Sequence, residues 1–307
     1  MAKNPLKLKE LSAEKVPQKL KAEYYFDFKA HPFAHSALFA GKNARSVVDA
    51  VAGIHDYLAA VLPGLLGKAK VVAKKTQADF PGRSAGKFTV LLEEGAAFEP
   101  GFVIGGADAS ATLLVCRGAR VLGTNVWLDA GSAVVGEDTF IEPGVVLKGP
   151  VVIGRKGEIR SGAYFRGDVI VGDGCILRGE LKNTVLMDKA NFPHPSYLGD
   201  SACGYETHFG NLATSANLGI FAVLARDPII LELDGQDYDL GRPKMGIIMG
   251  DYSQVGCSSV SDPGTFLAPW TIVYQLCRLN KGFYGPGELI KNKPMEHGII
   301  ERSPLRR

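Results

Sequence analysis

The stretch from Val135 to Leu177 reads VGEDTF IEPGVV LKGPVV IGRKGE IRSGAY FRGDVI VGDGCI L when it is cut into units of six. Each unit opens on an apolar residue: Val135, Ile141, Leu147, Ile153, Ile159, Phe165, Val171 and Leu177. Four residues after each stand Thr139, Val145, Val151, Gly157, Ala163, Val169, Cys175 and Leu181, mostly small or β-branched. A period of six fits neither an α-helix nor an ordinary two-faced strand. It fits a triangular coil in which each unit is one short strand, the chain turns at each corner, and three units close one rung of parallel sheet. The expectation is a mainly β protein: a left-handed parallel β-helix of hexapeptide repeats with an N-terminal helical extension.

An eighteen-residue rung stacks residues eighteen apart at about 4.8 Å. Lys148 then lies under Arg166. Two like charges at that spacing repel unless solvated or neutralised, so the pair reads either as a wet surface ladder or as part of an anion site.

Working outward, three regions are expected. Residues 1–95 form the helical extension, with one helix in the segment from Asn43 to Leu58 and a second between Leu8 and Phe26. One role for these helices is to cap the open end of the prism, whose strand edges would otherwise invite pairing. Residues 96–278 form the β-helix, with imperfect rungs between Gly95 and Gly131. Two loops, 183–196 and 221–244, interrupt it. The first holds Phe192-Pro193-His194-Pro195, whose prolines are expected to take the chain out of the prism. The second holds two alternating segments around Asp234-Gly235, a hairpin signal, after which the coil resumes at Met245. Residues 279–307 form a basic tail broken by proline and glycine.

Composition narrows the function classes. The chain has 307 residues, 46% hydrophobic and 22% charged, with a formal charge of +3. No basic run alternates with aromatics, so no nucleic-acid partner is expected. The N-terminus lacks the apolar run of a secretory signal. The most apolar helical stretch, Val47 to Leu66, carries Asp49, His55, Asp56 and Pro63, which suits a buried or docking helix rather than a membrane span. Five cysteines stand far apart, with no close Cys/His cluster, as expected of reduced thiols in a cytoplasmic protein that holds no metal.

The segment Leu181-Lys-Asn-Thr-Val-Leu-Met-Asp-Lys-Ala-Asn-Phe-Pro-His-Pro-Ser-Tyr-Leu-Gly-Asp-Ser carries a more specific signal in its H-x-S-Y-x-G-D core. It resembles the C-terminal acetyltransferase domain of the bifunctional N-acetylglucosamine-1-phosphate uridyltransferase/glucosamine-1-phosphate acetyltransferases, over about Val135 to Arg278. The resemblance implies acyl-CoA-dependent N-acetylation of an amino sugar phosphate, with acetyl-CoA as co-substrate, in clefts between the subunits of a homotrimer. It makes His194 the general base. It gives Arg166, Lys182 and Tyr197 to the substrate phosphate and Asn217 to orientation of the sugar. It places His208 where the family has a substrate-contacting asparagine, and Asn211 and Cys257 in the acyl-CoA region. The family's Gly-Ala-Gly-Thr, near the acyl acceptor, is Gly210-Asn-Leu-Ala-Thr, and a family serine in the acyl-CoA region is Cys257. No Gly-rich phosphate loop opens a doubly wound domain in residues 1–100, so sugar-nucleotide synthesis is not expected from this chain.

The chemistry is sound by residue type. An imidazole titrates near neutrality, and a phosphate dianion suits a guanidinium fork, an ammonium and a hydroxyl. The same residues have plainer uses. His194 between two prolines can be a solvated loop residue, Arg166 and Lys182 surface charges, Tyr197 a packing residue, and Asn217 a corner residue bonded to backbone. Two other functions share the fold. Phe165-Arg-Gly-Asp168 is similar to a segment of the γ-type carbonic anhydrases, with His194 and His208 as available ligands, but their pair of histidines five residues apart has no counterpart here. A sugar-phosphate or sugar-nucleotide binder without turnover is the other.

Overall fold

The computed structural model describes residues 4–40, 44–107 and 111–292. All sixteen inward positions of the hexapeptide stretch are buried. Their strands pair in parallel at the expected step: Val151 with Val169, Glu158 with Ile176, and Val146 with Tyr164, each eighteen residues on. Among the described residues, 27 strands join one sheet that winds around this core. The protein is a mainly β, parallel β-helix, as its period dictates.

The coil extends further at both ends than the sequence suggested. Thr89–Leu92 already pairs in parallel with Thr112–Val115, twenty-three residues on, so the rungs begin before residue 96 and are longer than eighteen residues. At the other end Ile272–Val273 pairs with Leu289–Ile290, beyond Cys277. Residues 293–307 of the expected tail lie outside the described residues.

The segment 183–196 does not leave the prism. Residues 183–186 belong to strand Glu180–Leu186 and residues 191–192 form strand Asn191–Phe192, and the side chain of Phe192 is buried in the coil. The rung is shortened instead: Val169 pairs with Thr184, fifteen residues on, and Thr184 with Ser201, seventeen on. Pro193 and Pro195 sit in the turn between Phe192 and Tyr197, where no ladder N–H is required, so the prolines mark a corner rather than an excursion. The true insertion follows Asn217. It contains a short helix at Ala222–Ala225 and the expected hairpin, Ile230–Leu233 against Gln236–Asp239, with Leu6–Lys7 added as a third strand. The coil resumes at Ile247–Met249, which pairs with Ala202–Cys203 forty-six residues back.

In the extension, Ser46 caps a helix: its hydroxyl accepts from the Asp49 N–H at 3.1 Å while Asp49 accepts from the Ser46 N–H. Helices α1 (Val47–Ala52) and α2 (Ile54–Gly67) follow, separated at Gly53, where one helix was expected. Asn43, the expected start, lies outside the described residues. Leu8 to Phe26 forms no α-helix; Pro17 interrupts it, and four 3-10 turns take its place.

These elements do not cap an end of the prism. One face of the coil carries apolar residues on its outer side, Val134, Val152, Ile170, Val185, Ile248 and Phe266, and Tyr25, Phe26, Val51, Ile54 and Leu58 bury them. The extension therefore lies along a side, because that is where the coil leaves apolar area to cover. No helix among the described residues is long and apolar enough to cross a membrane.

One exposed contact also ties α2 to the coil. His55 Nδ1 lies 2.7 Å from Asp168 Oδ1. That hydrogen bond and the carboxylate charge hold the imidazole pKa above its ordinary value. A raised pKa in the folded protein stabilises at pH below the ordinary imidazole value, near 6.5, and the gain is lost as pH rises through the raised value. The pair is solvent-exposed, so it contributes under about 1 kcal/mol. His55→Gln is expected to lower the melting temperature slightly at pH 5.5 and to leave it unchanged at pH 9, measured side by side with the native chain.

Candidate acceptor site on one face of the prism

The uncovered face that follows the Phe192–Tyr197 turn carries most of the residues singled out in the sequence. Its outward residues are set by the alternation of short strands around inward Leu147, Phe165, Leu181 and Leu198. Lys148 pairs with Trp127 on one side and Arg166 on the other, and Lys182 with Gly199. Because Phe165 pairs with Leu181, Arg166 and Lys182 are neighbours too. The column runs Trp127, Lys148, Arg166, Lys182, Gly199.

The stacked cations resolve their repulsion in different ways. Lys148 Nζ sits 5.5 Å from the centre of the Trp127 ring, a cation–π contact. Arg166 Nη1 donates to Glu180 Oε1 at 2.6 Å, and that bond raises the guanidinium pKa. The Lys182 carbonyl accepts from the Thr184 hydroxyl at 2.8 Å, whereas its ammonium has no ion pair or hydrogen bond among the described residues. Gly199 above it leaves no side chain in the column.

Tyr197 and Asn217 lean into the space over Gly199. A methyl group built there would lie 2.6 Å from the Tyr197 hydroxyl and 2.9 Å from Asn217 Nδ2. Burial raises the Tyr197 pKa, with the carboxylates of Asp200 and Glu180 adding to it; Arg166 and the Asn217 amide act the other way. Beneath them Asp200, 3% exposed, accepts from Asn217 Nδ2 at 2.5 Å, Asn183 Nδ2 at 2.9 Å and Arg242 Nη2 at 2.9 Å.

The remaining candidates lie at the opposite edge of this face. His194 is exposed in the turn that leads into Tyr197. The register that pairs Asn191 with His208 puts Asn211 one rung beyond His194, and that of His208 with Gln254 puts Cys257 one rung further. His194, Asn211 and Cys257 thus line one corner, all exposed. His208 is half-buried on the adjoining face. Burial pushes its imidazole below the ordinary pKa; a hydrogen bond to the Asn191 backbone opposes this, and the charge of His194 reinforces it. No group of three or more His, Cys, Asp or Glu side chains among the described residues is placed to hold a metal ion.

The sequence reading missed Glu180, Asn183, Asp200 and Arg242. Asp168, Asn183 and Asp200 all have positive φ at successive rungs of one corner, and Asp after glycine, as in Gly167-Asp168 and Gly199-Asp200, is the available signal, which Asn183 lacks. Nothing local marks Arg242, which reaches Asp200 from forty-two residues away.

The fold is a parallel β-helix built on hexapeptide repeats. No family model matches the chain. A bifunctional sugar-1-phosphate nucleotidylyltransferase/acetyltransferase from Sulfurisphaera tokodaii is 28% identical over 171 residues, 49% of this chain and 41% of that protein. Bifunctional GlmU proteins from Methanococcus vannielii and a Nostoc species are 29% identical over 129 residues and 33% identical over 107. Those alignments cover 42% and 33% of this chain and 29% and 23% of the relatives. The chain thus matches less than half the length of each relative, and the resemblance read from the residues around His194 is borne out at this level.

Proposed function

We propose that the chain is an acyl-CoA-dependent N-acetyltransferase acting on an amino sugar phosphate, with acetyl-CoA as co-substrate, at a site shared between subunits of a homotrimer in the cytoplasm. The observation that carries this reading is the unpaired Lys182 beside Arg166, below the Tyr197 hydroxyl, on the face whose other edge holds His194. Lys182, Arg166 and Tyr197 are donors and suit a phosphate dianion. His194 takes a proton from the amine as its nitrogen attacks the thioester carbonyl. The tetrahedral adduct then expels the CoA thiolate, which recovers that proton from His194. Asn211 and Cys257 flank the path along the corner suited to the acyl-CoA arm, and Asn217 and His208 border the sugar. Exposed apolar residues near the same corner, Leu212, Val260, Tyr274 and Leu276, suit a second subunit completing the cleft. The five free cysteines fit a reducing compartment.

The test is thiol release from acetyl-CoA, corrected for hydrolysis, with glucosamine 1-phosphate and related amines. Release that requires the amine supports the reading. No release above hydrolysis across the panel overturns it, and calorimetric binding of the sugar phosphate alone would then assign a non-catalytic binder. Gly199→Ala places a methyl group against Tyr197 and Asn217, which must move apart. The KM for glucosamine 1-phosphate is expected to rise about tenfold in that variant, with a smaller change in kcat, read from initial rates.

A further inference from the structure

One corner of the coil turns, rung after rung, at a residue with left-handed backbone. Earlier rungs fill this position with Asp138, Lys156, Gly174, Lys189 and Glu206, either glycine or a side chain whose charged head reaches water. The column then continues through Tyr252, Trp270 and Gly287, whose N–H groups donate to the carbonyls of Tyr205, Asp251 and Pro269 one rung earlier. Tyr252 (φ 63°) and Trp270 (φ 61°) hold bulky rings in a conformation that such residues rarely adopt.

Tyr252 has a structural use. Its hydroxyl lies 2.9 Å from His31 Nε2, and His31 stacks on Tyr205 with centroids 4.0 Å apart, which fastens the N-terminal extension to this corner. Trp270 has no such use: its side chain is 59% exposed and stacks on the Tyr252 ring at 4.2 Å, with planes 14° apart. On the next rung stands Gly287, where an added Cβ would have nothing within 4 Å. One face of the indole is thus backed by Tyr252, and the other looks onto open space at the height of the following rung. Tyr252 and Cys257 flank strand Gln254–Val255 on opposite sides, so this is not the corner of His194, Asn211 and Cys257.

We propose that Trp270 is the floor of a carbohydrate subsite, in which a neutral pyranose stacks on the indole in the space that Gly287 leaves open. The C–H bonds on one face of a pyranose seat on the electron-rich face of an aromatic ring, and the contact buries indole surface that the fold leaves wet. Tyr252 holds the indole in place before the ligand arrives, so little side-chain freedom is lost on binding. Sugar hydroxyls need acceptors at the rim. Glu288, exposed and adjacent to Gly287, uses Oε2 for the Gly285 N–H at 2.8 Å and has a second oxygen to offer. Charge favours a neutral ring: Asp251, Glu206 and Glu288 stand at this corner, whereas Lys189 is engaged by Glu206 at 3.0 Å and by the Tyr205 hydroxyl. A phosphorylated ring would meet net repulsion there.

The probes are maltotriose, cellotriose and chitotriose, with adenosine as a flat ring that lacks a C–H face. Binding to the full chain is measured by calorimetry and by tryptophan emission, to which Trp127 and Trp270 are the two contributors. At least one trisaccharide is expected to bind with a Kd of about 1 mM or tighter and to shift the emission. Trp270→Asn removes the ring, and asparagine tolerates the left-handed backbone. Gly287→Asn keeps the ring and fills the space above it. Each variant is expected to weaken binding at least about tenfold, with melting temperatures within about 3 °C of the native chain. No binding of any trisaccharide, adenosine binding more tightly than all three, or sugar binding undiminished in either folded variant overturns the proposal. If Trp270→Asn does not fold, Gly287→Asn decides by the same criterion. The outcome is independent of the acyl-transfer assay, since the two sites share no residue.

Discussion

His194→Ala is expected to lower amine-dependent thiol release from acetyl-CoA by about 10²–10⁴-fold, the range for loss of a positioned general base. The side chain is exposed in a corner turn bounded by Pro193 and Pro195, so its removal leaves no cavity and strands no buried partner. The melting temperature should therefore stay within a degree or two of the native value, and KM for the acceptor should change far less than kcat. The contrast with neighbouring His208 sharpens the test. Burial holds that imidazole toward its neutral form, and it adjoins the site from a different face. A variant of His194 with native kcat would end the assignment of this corner to catalysis.

The largest expected loss of stability is at Phe209. Its ring is 1% exposed and stacks on that of Phe192, with centroids 5.0 Å apart and planes at 21°. Both fill the narrow interior one rung apart. Phe209→Ala removes most of a large buried side chain where the closed coil prevents collapse around the void, and is expected to cost about 3–5 kcal/mol. In a solenoid each rung leans mainly on its neighbours, so the damage should concentrate near the site, between Asn191 and Val255. Denaturant titration gives the magnitude. Hydrogen exchange followed along the chain gives the place: uniform loss of protection from Val135 to Ile290 would contradict the local picture.

The legible part of the fold was legible for one reason. Inside a triangular coil, an inward side chain touches its own rung and the adjacent ones, so the requirement for small or apolar residues recurs at a fixed sequence interval. Val135 to Leu181 obeys it at all sixteen positions, and Lys148 under Arg166 follows from the same arithmetic. The hairpin at Asp234-Gly235 was equally local in its signal. The candidate site was legible in part. His194, Tyr197 and the stacked cations fall within a short stretch of sequence and its rung period, whereas the partners that orient them do not.

What misled was the inference from proline to an excursion. Pro193 and Pro195 exclude a ladder bond, but a coil has corners that make none, and a rung that gives up one to three residues absorbs the turn. The extent of the coil was also hidden at both ends. Rungs of twenty-three residues, as between Thr89 and Thr112, have the same inward requirement without the period of six that reveals it.

The sequence by itself determined the β-helix and the burial of its hexapeptide positions, because both depend on contacts at a constant separation along the chain. Only the tertiary structure decided which face the N-terminal extension covers, that Glu180 takes up the Arg166 guanidinium while Lys182 stays unpaired, and that Asp200 gathers Asn183, Asn217 and Arg242. Those contacts join residues at unrelated separations, and their geometry is set by the shortened rungs and by the length of the insertion, neither of which has a periodic signature.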